Sequence, residues 1–146
     1  DVNLPERFDL NCINEKGEKE RIVMIHAAIM GSIERFMANL IEHLQGAFPA
    51  WLAPVQVKIL PISDKHQDYA RQIFDELKQK EIRTEINLDN ETLGKKIRSA
   101  KLEKIPYLIV IGDKEVTANS FTVETREGEK LEITVEELSK KILTKN

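Results

Sequence analysis

The chain has 146 residues, of which 41% are hydrophobic and 32% are charged, and its net charge is −3. This length allows one domain with a full core, or a small domain with an added segment. A globally acidic protein is not a default nucleic-acid binder, so any contact with RNA must use a local basic patch. No apolar stretch is long enough to span a bilayer, which argues against a membrane partner.

The cysteine content and the first residues indicate the setting of the chain. Cys12 has no second cysteine to pair with, which favours a reducing, cytoplasmic location. The opening DVNLPERFDL has neither the basic nor the apolar region of a signal peptide, and it does not begin with Met. We therefore expect a fragment of a longer cytoplasmic protein.

The beginning of the chain predicts a β-hairpin followed by a helix. Residues 8–13 and 21–29 have strand-like patterns and flank a polar turn around Gly17. Residues 33–44 place apolar side chains at i, i+3, i+4, i+7, i+8 and i+11, which is one face of a helix. Gly46 is placed to end this helix.

A linker separates this segment from the rest of the chain. Residues 47–54, AFPAWLAP, contain two prolines and cannot be helical throughout. We therefore predict two domains, residues 1–50 and residues 51–146.

The second domain has a complete pattern of its own. The expected order is β-α-β-α-β-β-α, with strands at 55–62, 82–88, 105–112, 120–126 and 130–134 and helices at 63–80, 90–104 and 134–145. Helical connections between the first three strands imply right-handed parallel crossovers. The prediction is an α/β fold of three layers, a mixed and mostly parallel sheet with flanking helices.

Local signals predict where the helices of this domain begin. Asp64 is a candidate N-cap with Gln67 at capping-box spacing, and Thr134 with Glu137 forms a second capping box. Asn90 is expected to start the middle helix.

No complete catalytic or metal-binding motif is visible in the residues. A lone histidine in an apolar strand, such as His26, is more often a core residue than a metal ligand. No other Cys or His lies at ligand spacing from His26, so it can only be one ligand of a site completed elsewhere. Neither Cys12 nor Ser32 belongs to a nucleophile motif.

Two basic features admit a functional interpretation beside a purely structural one. Arg35 points away from the apolar stripe of its helix, as a solvated arginine or as a rigid clamp for a polyphosphate. Residues 93–104, LGKKIRSAKLEK, form either an ordinary solvated helix face or a small phosphate-facing patch. The patch would consist of Lys95, Arg98 and Lys101, with Lys96 and Lys104 nearby.

Long blocks of the sequence are more specific than these local features. VMIHAAIMGSIERF, LIEHLQGAFPAWLAPVQVKILPISDKHQDYA and LDNETLGKKIRSAKLEKIPYLIVIGDKEV closely resemble the threonyl-tRNA synthetases of bacterial type, as does the opening LPERFDL. The resemblance covers essentially the whole chain. It implies that residues 1–50 end a class II antiparallel catalytic domain and that residues 51–146 are an anticodon-binding domain.

The resemblance also implies roles for residues of the first domain. GSIERF is similar to motif 3 of class II synthetases, so Arg35 would contact the phosphates of ATP, a substrate used with Mg²⁺, and Ser32 would line the same pocket. His26 would be one of three protein ligands to a zinc ion that holds the amino group and hydroxyl of L-threonine. The other two ligands and motifs 1 and 2 lie upstream in the family, so the fragment alone is expected to be inactive. The parent would be a cytoplasmic homodimer.

In the second domain, the resemblance points to contacts with threonine tRNA. Asn90, Arg98 and Glu115 match family positions near the anticodon, and Lys95 lies beside them. Members of the family commonly have V-R-T-R where this chain has V-E-T-R, so Glu124 replaces an arginine. Glu124 could shift base reading, or Arg126 could take over the contact.

Two other classes of function remain open at the level of the sequence. One is a non-catalytic accessory module that binds RNA or protein with the same fold. The other is a protein–protein module with no role in RNA binding. Residues 1–46 argue against an accessory module, because such a protein has no need to keep MIH and GSIERF intact.

Overall fold

A five-stranded mixed sheet dominates the computed structural model, which describes residues 1–28, 30–118 and 120–143. The chain divides into two compact units, Asp1–Leu40 and Ile41–Asn146. Among the described residues, no helix combines the length and apolar character needed to cross a membrane.

The first unit contains a short hairpin and most of one long helix. Its elements are α1 (Asn3–Arg7), β1 (Asn11–Ile13), β2 (Lys19–Arg21) and α2 (Ile33–Leu44), which continues into the second unit. The antiparallel pairing of Asn11 with Arg21 confirms the predicted hairpin. Gly17 has a positive φ of 79° in its turn, and Gly46 has a φ of 75° just beyond α2, where each glycine was expected.

The predicted strand over residues 21–29 is wrong. The strand β2 ends at Arg21, residues 22–28 lie outside any helix or strand, and Ile29 is outside the described residues. The first predicted strand is also shorter than expected. Pairing between this strand and β2 ends near Leu10. The chain before Leu10 folds into α1, so it has no extended backbone that could pair with β2. His26 is therefore neither in a strand nor in a core, and its side chain is 57% exposed.

The second unit confirms the predicted β-α-β-α-β-β-α order. Its elements are β3 (Val57–Pro61), a 3-10 turn (Asp64–His66), α3 (Gln67–Gln79), β4 (Thr84–Ile86), α4 (Leu93–Leu102), β5 (Tyr107–Ile111), α5 (Asp113–Thr117), β6 (Phe121–Thr125), β7 (Lys130–Ile133) and α6 (Val135–Leu143). The strand order is β4-β3-β5-β6-β7, with β3, β4 and β5 parallel and the last two strands antiparallel. The short helix α5 is an addition to the predicted order.

The two faces of the sheet carry cores of different size. Alternate strand residues such as Val57 and Ile109 pack against α3 and α6 in the larger core. On the other face, Ala100 of α4 packs with Ile105 and Leu108 in a small core. The sheet between these helices gives the predicted three layers.

Capping signals were only partly informative. The box at Thr134 and Glu137 forms, since the Thr134 amide donates to Glu137 Oε2 at 2.8 Å. Asp64 does not cap α3, because it begins the 3-10 turn and only receives a hydrogen bond from the Gln67 side chain, at 2.7 Å. Asn90 does not start α4, which begins at Leu93.

The α4 face of the sheet contains a buried lysine at its centre. Lys58 is 8% exposed, and its Nζ lies 2.6 Å from Glu103 Oε2 and 3.3 Å from Glu85 Oε2. Burial lowers the pKa of Lys58, but the hydrogen bonds and charges of Glu103 and Glu85 outweigh it and leave the pKa raised.

Lys58→Met, which keeps the length of the side chain, is expected to lower the free energy of unfolding by about 1 kcal/mol at pH 7. A raised pKa in the folded state stabilises fully below the unfolded value of about 10.4 and is lost as pH rises through the folded value. The difference between the two proteins in denaturant unfolding should therefore be constant below about pH 10 and shrink as pH rises through the raised pKa of Lys58. A difference that does not shrink at alkaline pH would contradict this role of the charge.

Candidate nucleic-acid interface

Helix α4 carries two of the six residues predicted to contact the anticodon, Lys95 and Arg98. Because β4 and β5 are parallel, α4 runs back from the carboxyl end of β4 to the amino end of β5. Asn90 is exposed in the loop before the helix, and Arg98 lies near its middle. Glu124 and Arg126 follow β6 to the region where β5 begins, since Glu124 pairs with Leu108. The predicted residues thus lie on several elements: the loop before α4, α4 itself, the helix after β5, and the end of β6.

Lys95 and Arg98 differ in how far they are free to bind a phosphate. The Lys95 ammonium lies 2.6 Å from Glu91 Oε1, and the pKa of Lys95 is raised by this hydrogen bond and by the charge of Glu91. Arg98 is exposed, and no other described residue pairs with its side chain. Arg98 is therefore the ready anion-binding group of α4.

Two lysines expected near the patch do not belong to an open basic surface. Lys96 is only 5% exposed, and its Nζ binds the carbonyl oxygens of Pro61 at 3.4 Å and Asn87 at 3.3 Å. The prediction that Lys96 lies on the outer side of the helix is wrong, because it serves the carbonyls that end β3 and β4. Lys104 donates to the carbonyl of Gln45.

Glu124 is held by a partner on α4. Its Oε1 lies 2.5 Å from the ammonium of Lys101, and its side chain is 17% exposed. The Glu124 carboxylate therefore neutralises one charge of the candidate patch. It also fastens the helix to β6.

Arg126 contacts the segment 47–54 that was predicted to be a linker. Its Nη1 donates to the carbonyl oxygens of Phe48 at 2.9 Å and Lys104 at 3.3 Å. Its Nε lies 3.6 Å from Glu127 Oε1. The guanidinium of Arg126 is therefore bound mainly to backbone carbonyl oxygens of the protein.

Glu115 lies on the short helix that follows β5. Its Oε2 accepts a hydrogen bond of 3.0 Å from the Gly112 amide. The sheet register places this helix at the carboxyl end of β5, beside the end of β3, because Pro61 pairs with Ile111. The other carboxylate oxygen of Glu115 has no hydrogen bond to another described residue.

The predicted ATP and zinc residues lie in the first unit and on α2. His26 Nε2 is 2.8 Å from Asp1 Oδ2. The Ser32 hydroxyl donates to Glu34 at 2.7 Å, and this hydrogen bond, with one from the Glu34 amide, holds the pKa of Glu34 below its usual value. Arg35 is exposed. Within the described residues, no three Cys, His, Asp or Glu side chains are grouped to hold a metal ion, so His26 does not form a zinc site by itself.

Comparison with known families identifies the second unit. The family model of the anticodon binding domain matches residues 56–145. The chain belongs to this family. The strand order and the helices of this anticodon-binding domain are those described above.

Relatives extend the similarity over nearly the whole chain. The threonine–tRNA ligase of Clostridium tetani is 50% identical over 143 residues, which are 97% of this chain and 22% of that protein. The threonine–tRNA ligase of Maridesulfovibrio salexigens is 54% identical over 129 residues, 88% of this chain and 20% of that protein. The predicted resemblance to threonyl-tRNA synthetases is confirmed. The chain spans about a fifth of the length of these relatives.

Solved structures agree with this fold. The RNA binding domain of threonyl-tRNA synthetase from Cryptosporidium parvum has a TM-score of 0.75 at 34% identity, covering 97% of this chain and 36% of that one. Prolyl-tRNA synthetase from the same organism has a TM-score of 0.62 at 23% identity, covering 97% and 30%, and shows the fold alone.

Sequence reasoning missed the side chains that hold the linker and the strand ends. Gln56 Nε2 donates to the Ala50 carbonyl at 2.9 Å, and Arg83 donates to those of Ala53 at 2.9 Å and Trp51 at 2.7 Å. No periodicity marks such contacts, because they join side chains to backbone across distant segments. The only available signal was a polar residue, Gln56, at the start of an apolar strand.

The Lys101–Glu124 pair should be worth more than an ordinary surface pair. A double-mutant cycle of Lys101→Ala and Glu124→Ala is expected to give a coupling of about 0.5–1 kcal/mol, because Glu124 is mostly buried while Lys101 is half exposed. Urea unfolding of the four proteins gives the value. The more exposed pair Glu91–Lys95, in which Glu91 precedes α4, is the matched control and should give only about 0.3–0.5 kcal/mol. Equal coupling energies for the two pairs would mean that Lys101–Glu124 contributes no more than an ordinary surface ion pair.

Proposed function

We propose that this chain is the tRNA-reading end of a threonine–tRNA ligase, together with part of its ATP site. The observation that carries the proposal is similarity to threonine–tRNA ligases over 97% of the chain, including the segment before the anticodon-binding domain. That extent favours a ligase over an accessory module with the same fold. The whole protein would activate L-threonine with ATP and Mg²⁺ and transfer it to threonine tRNA, as a cytoplasmic homodimer. The boundary between its two domains would lie near residue 50.

The proposed tRNA contacts follow from the charges left open on the second unit. Arg98 offers an unpaired guanidinium to phosphate, and Lys95 exchanges Glu91 for phosphate at small cost because the pair is solvated. The side-chain amide of Asn90, in the loop after β4, and the second carboxylate oxygen of Glu115, on the short helix after β5, are suited to base edges. Glu124 and Arg126 would act mainly by fixing the helix and the linker.

The proposed role of the first unit is in the catalytic site of the parent. Arg35, with no fixed partner among the described residues, would bind ATP phosphates, and Ser32 would line the same pocket. His26 would be one ligand of a zinc ion. When bound, that ion would select threonine through its hydroxyl group, which an apolar pocket discriminates poorly.

Lys95→Ala with Arg98→Ala is expected to weaken binding of threonine tRNA roughly tenfold, because two phosphate contacts are lost. The slope of log affinity against log salt should fall by about 1 for each lost contact. Filter binding at several salt concentrations measures both quantities.

The matched control is Arg71→Ala with Lys78→Ala, which removes the same charge from α3 on the opposite face of the sheet. This control should change affinity and slope much less. Equal effects of the two double variants would mean that only net charge matters and would overturn the role of α4.

The 146-residue chain alone is expected to catalyse no threonine-dependent exchange between ATP and pyrophosphate. In the proposed parent protein, His26 and Arg35 belong to a catalytic site that also needs motifs 1 and 2 and two further zinc ligands. In the family, those residues lie in segments other than the one that this chain matches. The measurement is incorporation of labelled pyrophosphate into ATP, with an intact threonine–tRNA ligase as the positive control. Measurable exchange by the chain would refute this division of the site.

A further inference from the structure

We propose that His66 is a positioning residue that fixes Glu115 for reading the anticodon, by tying the loop after β3 to the loop after β5. This inference rests on the proposed function, since it assigns Glu115 a base contact. The observation behind it is a buried imidazole whose two nitrogens both have partners. His66 Nδ1 lies 3.1 Å from Ser63 Oγ, and His66 Nε2 lies 3.1 Å from Asp113 Oδ1.

The two partners of His66 belong to different loops. Ser63 follows β3 in the same turn as His66, whereas Asp113 is the first residue of α5, after β5. The imidazole is 5% exposed, so its ring is fixed by packing, while the Asp113 carboxylate is almost fully in solvent. A rigid donor therefore holds a side chain that would otherwise move freely.

The tie continues from Asp113 to Glu115. The Gly112 amide, next to Asp113, donates to Glu115 Oε2 at 3.0 Å. The loop is also packed against the end of β3, because the Ile62 amide donates to the Ile111 carbonyl at 3.0 Å. A Cβ on Gly112 would lie 2.8 Å from Ile62 Cδ1. One carboxylate oxygen of Glu115 is thereby fixed, and the other has no hydrogen bond to another described residue.

The hydrogen-bonding chemistry suits a permanent tie. A neutral imidazole with its proton on Nε2 donates to Asp113 and accepts from the Ser63 hydroxyl. A protonated imidazole donates to both partners. The contact with His66 and its charge hold the pKa of Asp113 below its usual range, so the carboxylate remains an acceptor. The tie persists in either state of the histidine.

The test uses the full chain and two RNA anticodon stem-loops, one with the threonine anticodon and one with its middle base changed. Discrimination is the ratio of their dissociation constants. Asp113→Ala removes the tie from the solvent side, where no core cavity opens, and should reduce discrimination roughly tenfold. Asp113→Asn keeps an oxygen that accepts from Nε2 and should restore most of it. Because both variants lose the same charge, their difference isolates the hydrogen bond.

Two further variants complete the comparison. Asp68→Ala removes an exposed carboxylate from α3 and should leave discrimination unchanged. Glu115→Gln should abolish it. Hydrogen exchange of the Gly112 amide should accelerate in Asp113→Ala but not in Asp113→Asn, which reports the tie independently of RNA.

The possible results distinguish a failure of the inference about His66 from a failure of the proposed function. If Glu115→Gln abolishes discrimination and Asp113→Ala does not, the positioning role of His66 is overturned and the proposed function stands. If the unmodified chain fails to discriminate the two stem-loops, both are overturned. Unchanged exchange of the Gly112 amide in Asp113→Ala also overturns the positioning role.

Discussion

Charged contacts between α4 and the sheet determine where the candidate interface lies. A lysine in the middle of a covered strand is costly unless carboxylates meet it, and Lys58 of β3 has Glu103 at 2.6 Å and Glu85 at 3.3 Å. Glu103 follows the carboxyl end of α4, so this end must lie over β3. The Lys101–Glu124 pair adds a second such contact two strands away, on β6. The apolar core under α4 is small, so these ion pairs contribute much of what holds α4 in place on the sheet.

The same constraint reduces the positive charge that α4 can offer to RNA. Of the basic residues on or near this helix, Lys101 is paired with Glu124, Lys96 is buried against carbonyls, and Lys104 donates to the carbonyl of Gln45. Affinity for a polyanion must then depend on few contacts. This suits a module that reads bases within a larger assembly, because specificity comes from base edges while phosphate contacts mainly position the chain.

The sequence predicted the second unit well because its elements are encoded locally. The apolar run at 107–111 indicates a buried strand, and the spacing of apolar residues in α3 indicates a helix with one buried face. Both elements form where they were expected. Side-chain ties such as His66 to Asp113 were not predictable, because their partners are 47 residues apart and no periodicity joins them. The orientation of Lys96 was missed for a related reason. A lysine that satisfies strand-end carbonyls is indistinguishable in sequence from a solvated one.

The failure of the strand at 21–29 has a different cause, since its pattern depends on neighbours. Val23 and Ile25 are 67% and 88% exposed, and β2 stops at Arg21, where β1 no longer offers a partner. Alternating apolar residues stabilise a strand only when a second backbone and a covering layer are present. On α2, Ile33 and Met37 are likewise about half exposed. The apolar pattern of this unit is therefore typical of an element in a larger sheet, and the roles in ATP and zinc binding proposed for it would need the partners that such a sheet brings.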